Sequence, residues 1–349
     1  THEQETLKYL SEAHPQAFLC ASSDVIPEYK EYERLSTTVF NAYLGPMMRR
    51  YVTNIATWLA SENYRRDLLI MTCNGGMASA EVAAAYPIRT VLSGPAGGVS
   101  GGTFVGEALG IKNVITYDMG GTSTDVCLVK NLQPVSSNLR MVGGLPLKTP
   151  QMDISTIGAG GGSIAWVDKD GSFRVGPQSA GADPGPACYG MGGEFPTVTD
   201  ANLLLNRIGA DTMLGGQLTL QRDPAHRVLS GVGEKMGLND VYRVAEGVVE
   251  VAVANMTSAL REISIEKGED PREFVLIPFG GAGPMHACLL AAEVGIPKVV
   301  VPNFPGNLSA LGLLTSDLKH EFVRTYLTTV AKGDLSHVQT LFQGMLQQG

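Results

Sequence analysis

The sequence has no excess of basic residues. Its 26 Lys and Arg are outnumbered by 34 Asp and Glu, which gives a net charge of −8 at pH 7. Because a nucleic-acid-binding surface needs a basic patch or stripe, this balance argues against a nucleic-acid partner. The hydrophobic fraction of 44% is high enough for a packed core, so extensive disorder is not expected.

Long apolar runs and cysteine pairs are also missing. No apolar run approaches the ~18 residues of a membrane-spanning helix, and no signal peptide opens the sequence. The five cysteines form no CxxC pair and their number is odd. We therefore expect reduced thiols in a cytoplasmic protein that has no membrane partner.

Two common nucleotide-binding motifs are absent as well. The sequence contains no GxxxxGK[ST], which excludes a P-loop. The stretch "GAGGGS" at 158–163 lacks the helix and the following acidic residue of a dinucleotide-binding unit, which disfavours a Rossmann interpretation.

Glycine, in contrast, is abundant, with 42 residues that cluster beside apolar segments without a strict period. Such clusters let main-chain N–H groups point at one anion without interference from a Cβ atom. A single cluster is most often only a tight turn, but several in one chain favour phosphate binding. Four clusters are present: "SGPAGGVSGG" (93–102), "DMGGTSTD" (118–125), "GAGGGS" (158–163) and "PFGGAGP" (278–284).

Apolar periodicity predicts strands that alternate with helices, which is an α/β class. The helix predicted at 91–110 is unusual, because each internal glycine costs ~1 kcal/mol relative to alanine. We expect these glycines to allow close approach of another element. The other predicted elements are a helix at 36–61, a hairpin over 113–130, a helix at 197–209 with Asp200 as N-cap, a helix at 240–267, and a strand, turn and helix over 274–295.

Two acids flank the second glycine cluster. Asp118 and Asp125 could hold a divalent cation or orient a nucleophilic water, while the hydroxyl groups of residues 122–124 could donate to phosphate oxygens. A cap for the turn is the alternative role for Asp125. For Gly160, Gly161 and Gly162, phosphate contact and a purely conformational role are equally open.

The motif "YDMGGTSTDV" (117–126) resembles the second phosphate loop of the actin-like ATPases, and "PFGGAGP" resembles their adenosine loop. More specifically, "LSGPAGGV", "YDMGGTSTDV", "IGAGGGSIAWVD", "PFGGAGPMHA" and "PGNLSALGLL" are similar, in this order, to the ATP-binding A-type subunit of the hydantoinase/oxoprolinase family. The resemblance covers roughly residues 25–320. It implies an actin-like ATPase (ribonuclease H-like) fold, with mixed sheets flanked by helices.

The resemblance also implies an activity. Members of the family open cyclic amides such as hydantoins or 5-oxoproline with ATP, by phosphorylation of the amide oxygen. An acetone-carboxylase-type subunit and a nucleotide-binding module without turnover are the alternatives. The implied cofactors are ATP and Mg²⁺ or another divalent metal, and the implied partners are a small cyclic amide, a B-type subunit or fused domain, and further copies in an oligomer.

Site roles follow from the same resemblance. Asp118 and Asp125 are the expected catalytic and Mg²⁺-holding residues, and Asp153 is a further candidate ligand, for the metal or for the substrate. The expected nucleotide-binding residues are Gly120, Gly121, Thr122 and Thr124, then Gly160, Gly161 and Gly162 for phosphate, and Gly280, Gly281, Ala282 and Gly283 for adenosine.

Two other reactive residues have plainer interpretations. Cys188 has no His nearby in sequence, so a buried structural thiol is favoured over a nucleophile. His286 lies at a predicted helix start, which disfavours a cationic imidazole. A neutral hydrogen-bonding His is therefore expected, with metal ligation as the alternative.

The resemblance predicts three regions: a partial lobe with connecting helices at 1–110, an actin-like nucleotide-binding lobe at 111–320, and the start of a truncated C-terminal region at 321–349. Residues 1–60 contain no first phosphate loop of the D-x-GGTFTD kind, so we expect a piece of a longer protein. Ser155 stands where many relatives carry His, and its role is left open.

Overall fold

A computed structural model describes residues 2–209, 213, 214, 216, 218–329 and 333–347. Part of the predicted C-terminal region, at residues 330–332 and 348–349, lies outside the described residues. The fold is α/β, with mixed strands and helices as predicted, and it forms two compact units. Unit 1 comprises Thr1–Gly97, Ser136–Met152 and Thr315–Gly349, and unit 2 comprises Gly98–Val135 and Asp153–Leu314.

The helices are α1 His2–Ala13, α2 Ser22–Val25, α3 Glu31–Ser61, α4 Ala80–Ala85, α5 Ser93–Ala108, α6 Val198–Leu204, α7 Arg222–Met236, α8 Val241–Ile263, α9 Gly283–Val294, α10 Leu308–Thr315 and α11 Leu335–Leu346. The strands are β1 Leu69–Met71, β2 Met77–Ser79, β3 Val114–Met119, β4 Thr124–Lys130, β5 Gln133–Pro134, β6 Ser136–Ser137, β7 Arg140–Val142, β8 Leu145–Leu147, β9 Gln151–Met152, β10 Ser155–Ile157, β11 Ser163–Val167, β12 Phe173–Ser179, β13 Met213–Leu214, β14 Leu218–Thr219, β15 Val275–Phe279 and β16 Lys298–Val299.

Unit 1 is organised by the long helix α3. The side chain of Asn41 is fully buried, donates to the carbonyl oxygen of Ala85 at 3.3 Å and accepts from the N–H of Ile88 at 3.2 Å. A small apolar cluster of Val25, Ile88 and Leu147 packs beside it. A buried amide that satisfies two main-chain groups fixes how the helix lies against the loop that follows α4.

Unit 2 is built on a mixed sheet in the order β10-β4-β3-β15-β16, with β5 paired to β4. Strands β3 and β4 form the predicted hairpin, and β15 pairs with β3 in parallel. One face of the sheet packs on α8, where the hydroxyl of Tyr117 donates to the sulfur of Met256 at 2.8 Å. Because neighbouring strand residues point to opposite faces, Thr116 and Asp118 face the other side.

Helices α5 and α10 cover that other side. A Cβ atom on Gly102 would lie 2.5 Å from Cγ2 of Thr116, and one on Gly98 would lie 2.4 Å from the ring of Phe279. At Gly101 a Cβ would lie 2.6 Å from the carbonyl oxygen of Leu308 in α10. The expectation that these glycines allow close approach is therefore confirmed, both to the sheet and to the second helix.

Helix α6 is shorter than the predicted range 197–209, and the assignment of Asp200 as its N-cap is wrong. Thr197 is the N-cap: its hydroxyl oxygen accepts from the N–H of Asp200, whose carboxylate accepts from the N–H of Thr197 at 2.9 Å. Asp200 is thus the third residue of the helix in a capping box, where its carboxylate accepts from the N–H of the N-cap residue. Its other carboxylate oxygen accepts from the N–H of Cys188 at 2.7 Å.

Among the described residues, no helix has both the length and the apolar character that crossing a bilayer requires.

The packing of α5 predicts that Gly101→Ala lowers the free energy of unfolding by about 1–3 kcal/mol, since the added methyl group meets main-chain atoms that cannot move aside. Gly231→Ala in α7 is the matched control, because a Cβ there meets nothing within 4 Å. It should be neutral or gain up to ~1 kcal/mol from helix propensity. Urea titration measures both, and equal stabilities of the two variants would contradict the packing account.

Candidate functional site

The two aspartates of the second glycine cluster lie side by side. Asp118 on β3 is paired in register with Asp125 on β4. Each lies one residue from the end of its strand, next to the turn that joins the two strands. Cross-strand neighbours on one face have Cβ atoms about 4.5–5.5 Å apart. The two carboxylates therefore lie next to each other at the end of the hairpin.

The turn between them exposes main-chain donors. Gly161 and Gly162 donate to the carbonyl oxygens of Gly120 and Gly121, at 3.0 and 2.6 Å. In a planar trans peptide the N–H points opposite to the C=O. The N–H groups of Gly121 and Thr122 consequently point away from the 158–162 loop, and both residues are exposed.

Those donors have no partner in the part of the chain that the structure describes. The N–H groups of Gly121, Thr122 and Ser123 form no main-chain hydrogen bond there. A Cβ on Gly121 would meet nothing within 4 Å, so open space adjoins the turn. Consecutive free N–H groups around open space are a typical anion-binding arrangement.

The third glycine cluster, at 158–163, packs against this turn on the side opposite to the free N–H groups. A Cβ on Gly160 would lie 2.6 Å from the carbonyl carbon of Gly121, so only glycine allows the two loops to touch. The N–H groups of Gly160, Gly161 and Gly162 all donate inside the protein, the first to the hydroxyl of Ser163 at 2.8 Å. Direct contact between these three glycines and phosphate stays a prediction.

The two threonines of the motif differ in their surroundings. Thr124 is buried, and its hydroxyl donates to the carbonyl oxygen of Ala159 at 2.5 Å. This bond ties the start of β4 to the 158–162 loop. Thr122 lies at the exposed tip of the turn.

The fourth glycine cluster lies directly against Asp118. Gly280 has a φ of +79°, and a Cβ there would lie 2.2 Å from Oδ1 of Asp118. The N–H of Ala282 donates to the carbonyl oxygen of Met119 at 2.9 Å. The loop then enters α9 at Gly283, and a Cβ on Gly281 would meet nothing within 4 Å. Three glycine loops thus converge at the end of β3.

Burial and a like charge act on Asp118. Burial first, and the neighbouring Asp125 carboxylate second, raise the pKa of Asp118 to about 6. Two carboxylates that share a site favour retention of a proton on one of them, and a bound cation would relieve the same repulsion.

Asp153, the third predicted metal ligand, pairs with a different residue. Its carboxylate forms an ion pair with Lys267, and it precedes Thr156 by three residues, about 10 Å along an extended chain. In the described ranges, no group of three or more His, Cys, Asp or Glu side chains is arranged to hold a metal ion. The Asp118 and Asp125 pair therefore remains the candidate for Mg²⁺.

The other reactive residues behave as expected. Cys188 is fully buried, and burial, followed by the nearby Asp200, raises the pKa of its thiol. His286 is also fully buried, and burial, followed by Arg207, lowers its pKa to about 4. A buried inert thiol and a neutral imidazole are the interpretations that the sequence favoured.

Strand β10 adds a residue that sequence reasoning missed. Thr156 is paired in register with Asp125, and its hydroxyl donates to Oδ1 of Asp125 at 2.5 Å. Its neighbour Ser155 lies 3.4 Å from Oε2 of Glu262 in α8, on the opposite face of the sheet. Residue 155 therefore points away from the aspartate pair.

Comparison with known proteins identifies the family. The family model described as Hydantoinase/oxoprolinase matches residues 34–322, which is most of the chain. The chain belongs to the hydantoinase/oxoprolinase family. The matched range of this family member contains all three converging glycine loops and both aspartates of the pair.

One similar sequence and two similar structures illustrate the family. Caprolactamase subunit alpha of Pseudomonas jessenii is 41% identical over 93% of this chain, which spans 47% of that subunit. The crystal structure of ATP-dependent caprolactamase from Pseudomonas jessenii matches with a TM-score of 0.83 and 38% identity, over 100% of this chain and 51% of the other. Nucleotide-free acetone carboxylase matches with a TM-score of 0.78 and 30% identity, over 90% of this chain and 45% of the other. The chain spans about half the length of these relatives.

The raised pKa of Asp118 predicts a pH-dependent stability. Between pH 4 and about 6 the folded protein holds a proton that the unfolded chain has released, so stability falls as pH rises through this window. Asp118→Asn removes this titration. The unfolding free energy of Asp118→Asn minus that of the unaltered chain should increase between pH 4 and 6 and stay constant above pH 6. Urea titrations of both proteins across this range measure the difference. A difference that is the same at pH 4 and pH 7 would refute the assignment.

Proposed function

We propose that the turn at 120–123 binds the phosphate groups of Mg·ATP, within an actin-like nucleotide-binding lobe at 111–320. One observation carries this proposal: three consecutive N–H groups without an acceptor among the described residues, beside open space and a pair of carboxylates. In this proposal Thr122 adds a hydroxyl donor, and the loop at 280–283 lies against adenosine.

The aspartate pair fits a magnesium ion that arrives with a nucleotide. Mg²⁺ keeps several waters and is commonly held by one or two carboxylates together with substrate phosphates, so a cluster of three protein ligands is not needed. Asp118 and Asp125 supply two carboxylates beside the free N–H groups. Bound there, the ion would offset the like charges that raise the pKa of Asp118.

We further propose that the chain is part of an enzyme that opens a cyclic amide with ATP. Membership of the family and similarity to an ATP-dependent caprolactamase support this reaction class. When bound, ATP supplies a phosphoryl group that converts the amide oxygen into a better leaving group. The protein's part in such a transfer would be positioning, through the N–H groups of the turn and an Mg²⁺ ion held by the aspartate pair. The ion would neutralise the developing negative charge.

A carboxylase subunit is the second candidate, because nucleotide-free acetone carboxylase is also similar in structure. Both reactions would use the same phosphate turn, so the site at 118–125 does not distinguish them. The two reactions are distinguished by their products, formed from a cyclic amide in one case and from a ketone with bicarbonate in the other.

A partner is part of the proposal. The similar caprolactamase protein is named as one subunit, alpha, and this chain spans 47% of it. We propose that a second subunit or a further domain completes the active site, with the chain alone acting as a nucleotide-binding module.

Calorimetry with Mg·ATP tests the phosphate turn. The unaltered chain should bind Mg·ATP, and Asp118→Ala should weaken binding at least tenfold because it removes one of two carboxylates near the ion. Asp170→Asn is the control, since Asp170 is exposed on the turn between β11 and β12. Equal affinity of all three proteins, or no binding by the unaltered chain, would contradict the proposal.

The partner proposal predicts that the chain alone opens neither hydantoin nor 5-oxoproline at a sustained rate. Its nucleotide turn would be present, but the remaining half of the enzyme would not. Ring-opened product and released phosphate are measured together, with acetone and bicarbonate in a parallel reaction. Sustained turnover by the chain alone would disprove the need for a partner.

A further inference from the structure

A row of polar side chains crosses three strands at the end of the hairpin. Asp118 on β3 is in register with Asp125 on β4, which in turn is in register with Thr156 on the edge strand β10. The hydroxyl of Thr156 donates to Oδ1 of Asp125 at 2.5 Å. The row therefore ends in a neutral donor on its outer side.

From this row we infer that Thr156 is a positioning residue for Asp125. Its hydroxyl holds the Asp125 carboxylate in the orientation in which both aspartates face the magnesium ion of a bound nucleotide. The inference rests on the proposed function, since the ion belongs to that proposal.

The hydroxyl of Thr156 is held in place for this role. A threonine is stiff at χ1, so its donor direction is set by the strand that carries it. Strand β10 pairs with β4 over three residues, and the loop that follows it is tied to β4 by the bond from Thr124 to Ala159. The bond to Asp125 also has the short length typical of a hydroxyl that donates to a carboxylate.

A fixed orientation matters because Asp118 and Asp125 repel each other. Both side chains are half-buried, and repulsion favours rotation of one carboxylate away from the other. Mg²⁺ demands nearly ideal octahedral geometry, so rotation of one carboxylate is costly to the ion. Hydrogen-bonded partners of metal-binding groups typically contribute 10–100-fold to metal affinity.

The test compares Thr156→Val, Thr156→Ser and Ser155→Ala by calorimetry, with Mg·ATP and with ATP in excess EDTA. Valine keeps the shape and removes the donor, serine keeps the donor, and Ser155 lies on the opposite face of the sheet. We expect Thr156→Val to bind Mg·ATP about tenfold more weakly. The two other variants should stay within threefold of the unaltered chain, and affinity for metal-free ATP should be the same in all four proteins.

Thr156→Val could lose affinity for Mg·ATP and for metal-free ATP by the same factor. That result would show a structural role for Thr156 and overturn the inference. Unchanged affinity would overturn it as well. A second readout needs no nucleotide: three-bond NMR couplings of Asp125 should report one χ1 rotamer in the unaltered chain and in Thr156→Ser, and averaging in Thr156→Val. If the unaltered chain binds no Mg·ATP, the proposed function fails, while the couplings still decide whether Thr156 orients Asp125.

Discussion

Two main-chain hydrogen bonds hold the turn after Asp118, and the candidate site depends on them. Gly161 and Gly162 bind the carbonyl oxygens of Gly120 and Gly121, which turns the N–H groups of the next peptides towards open space. Only glycine at position 160 lets the two loops meet, because a Cβ there would lie 2.6 Å from main-chain atoms. The proposed anion-binding face is therefore shaped by a neighbouring loop as well as by the turn itself.

Sequence reasoning could predict the elements formed by neighbouring residues. The hairpin of β3 and β4, the glycine-rich helix α5 and the amphipathic helix α8 are visible as local patterns, and the family follows from motifs in order. Contacts between residues that are far apart in the sequence could not be predicted. Asp153 pairs with Lys267, 114 positions away, and Thr156 meets Asp125 only because β10 pairs in one register. The N-cap of α6 was misassigned because Thr197 and Asp200 are both common near helix starts, and which one caps depends on where the chain turns.

The four glycine clusters have different structural roles. Gly121 has an N–H group without a main-chain acceptor among the described residues and lies beside open space, whereas Gly160 and Gly280 let loops lie against the turn and against Asp118. In α5, glycines bring a helix close to the sheet and to α10. A substitution in the first group should act on binding, and one in the other groups should act first on packing.

The most direct test of this account is a crystal structure of the chain with a non-hydrolysable ATP analogue and Mg²⁺. The account predicts that the phosphate groups accept from the N–H groups at 121–123 and that the ion lies beside Asp118 and Asp125. A nucleotide bound elsewhere on the chain, with the turn facing only solvent, would contradict it.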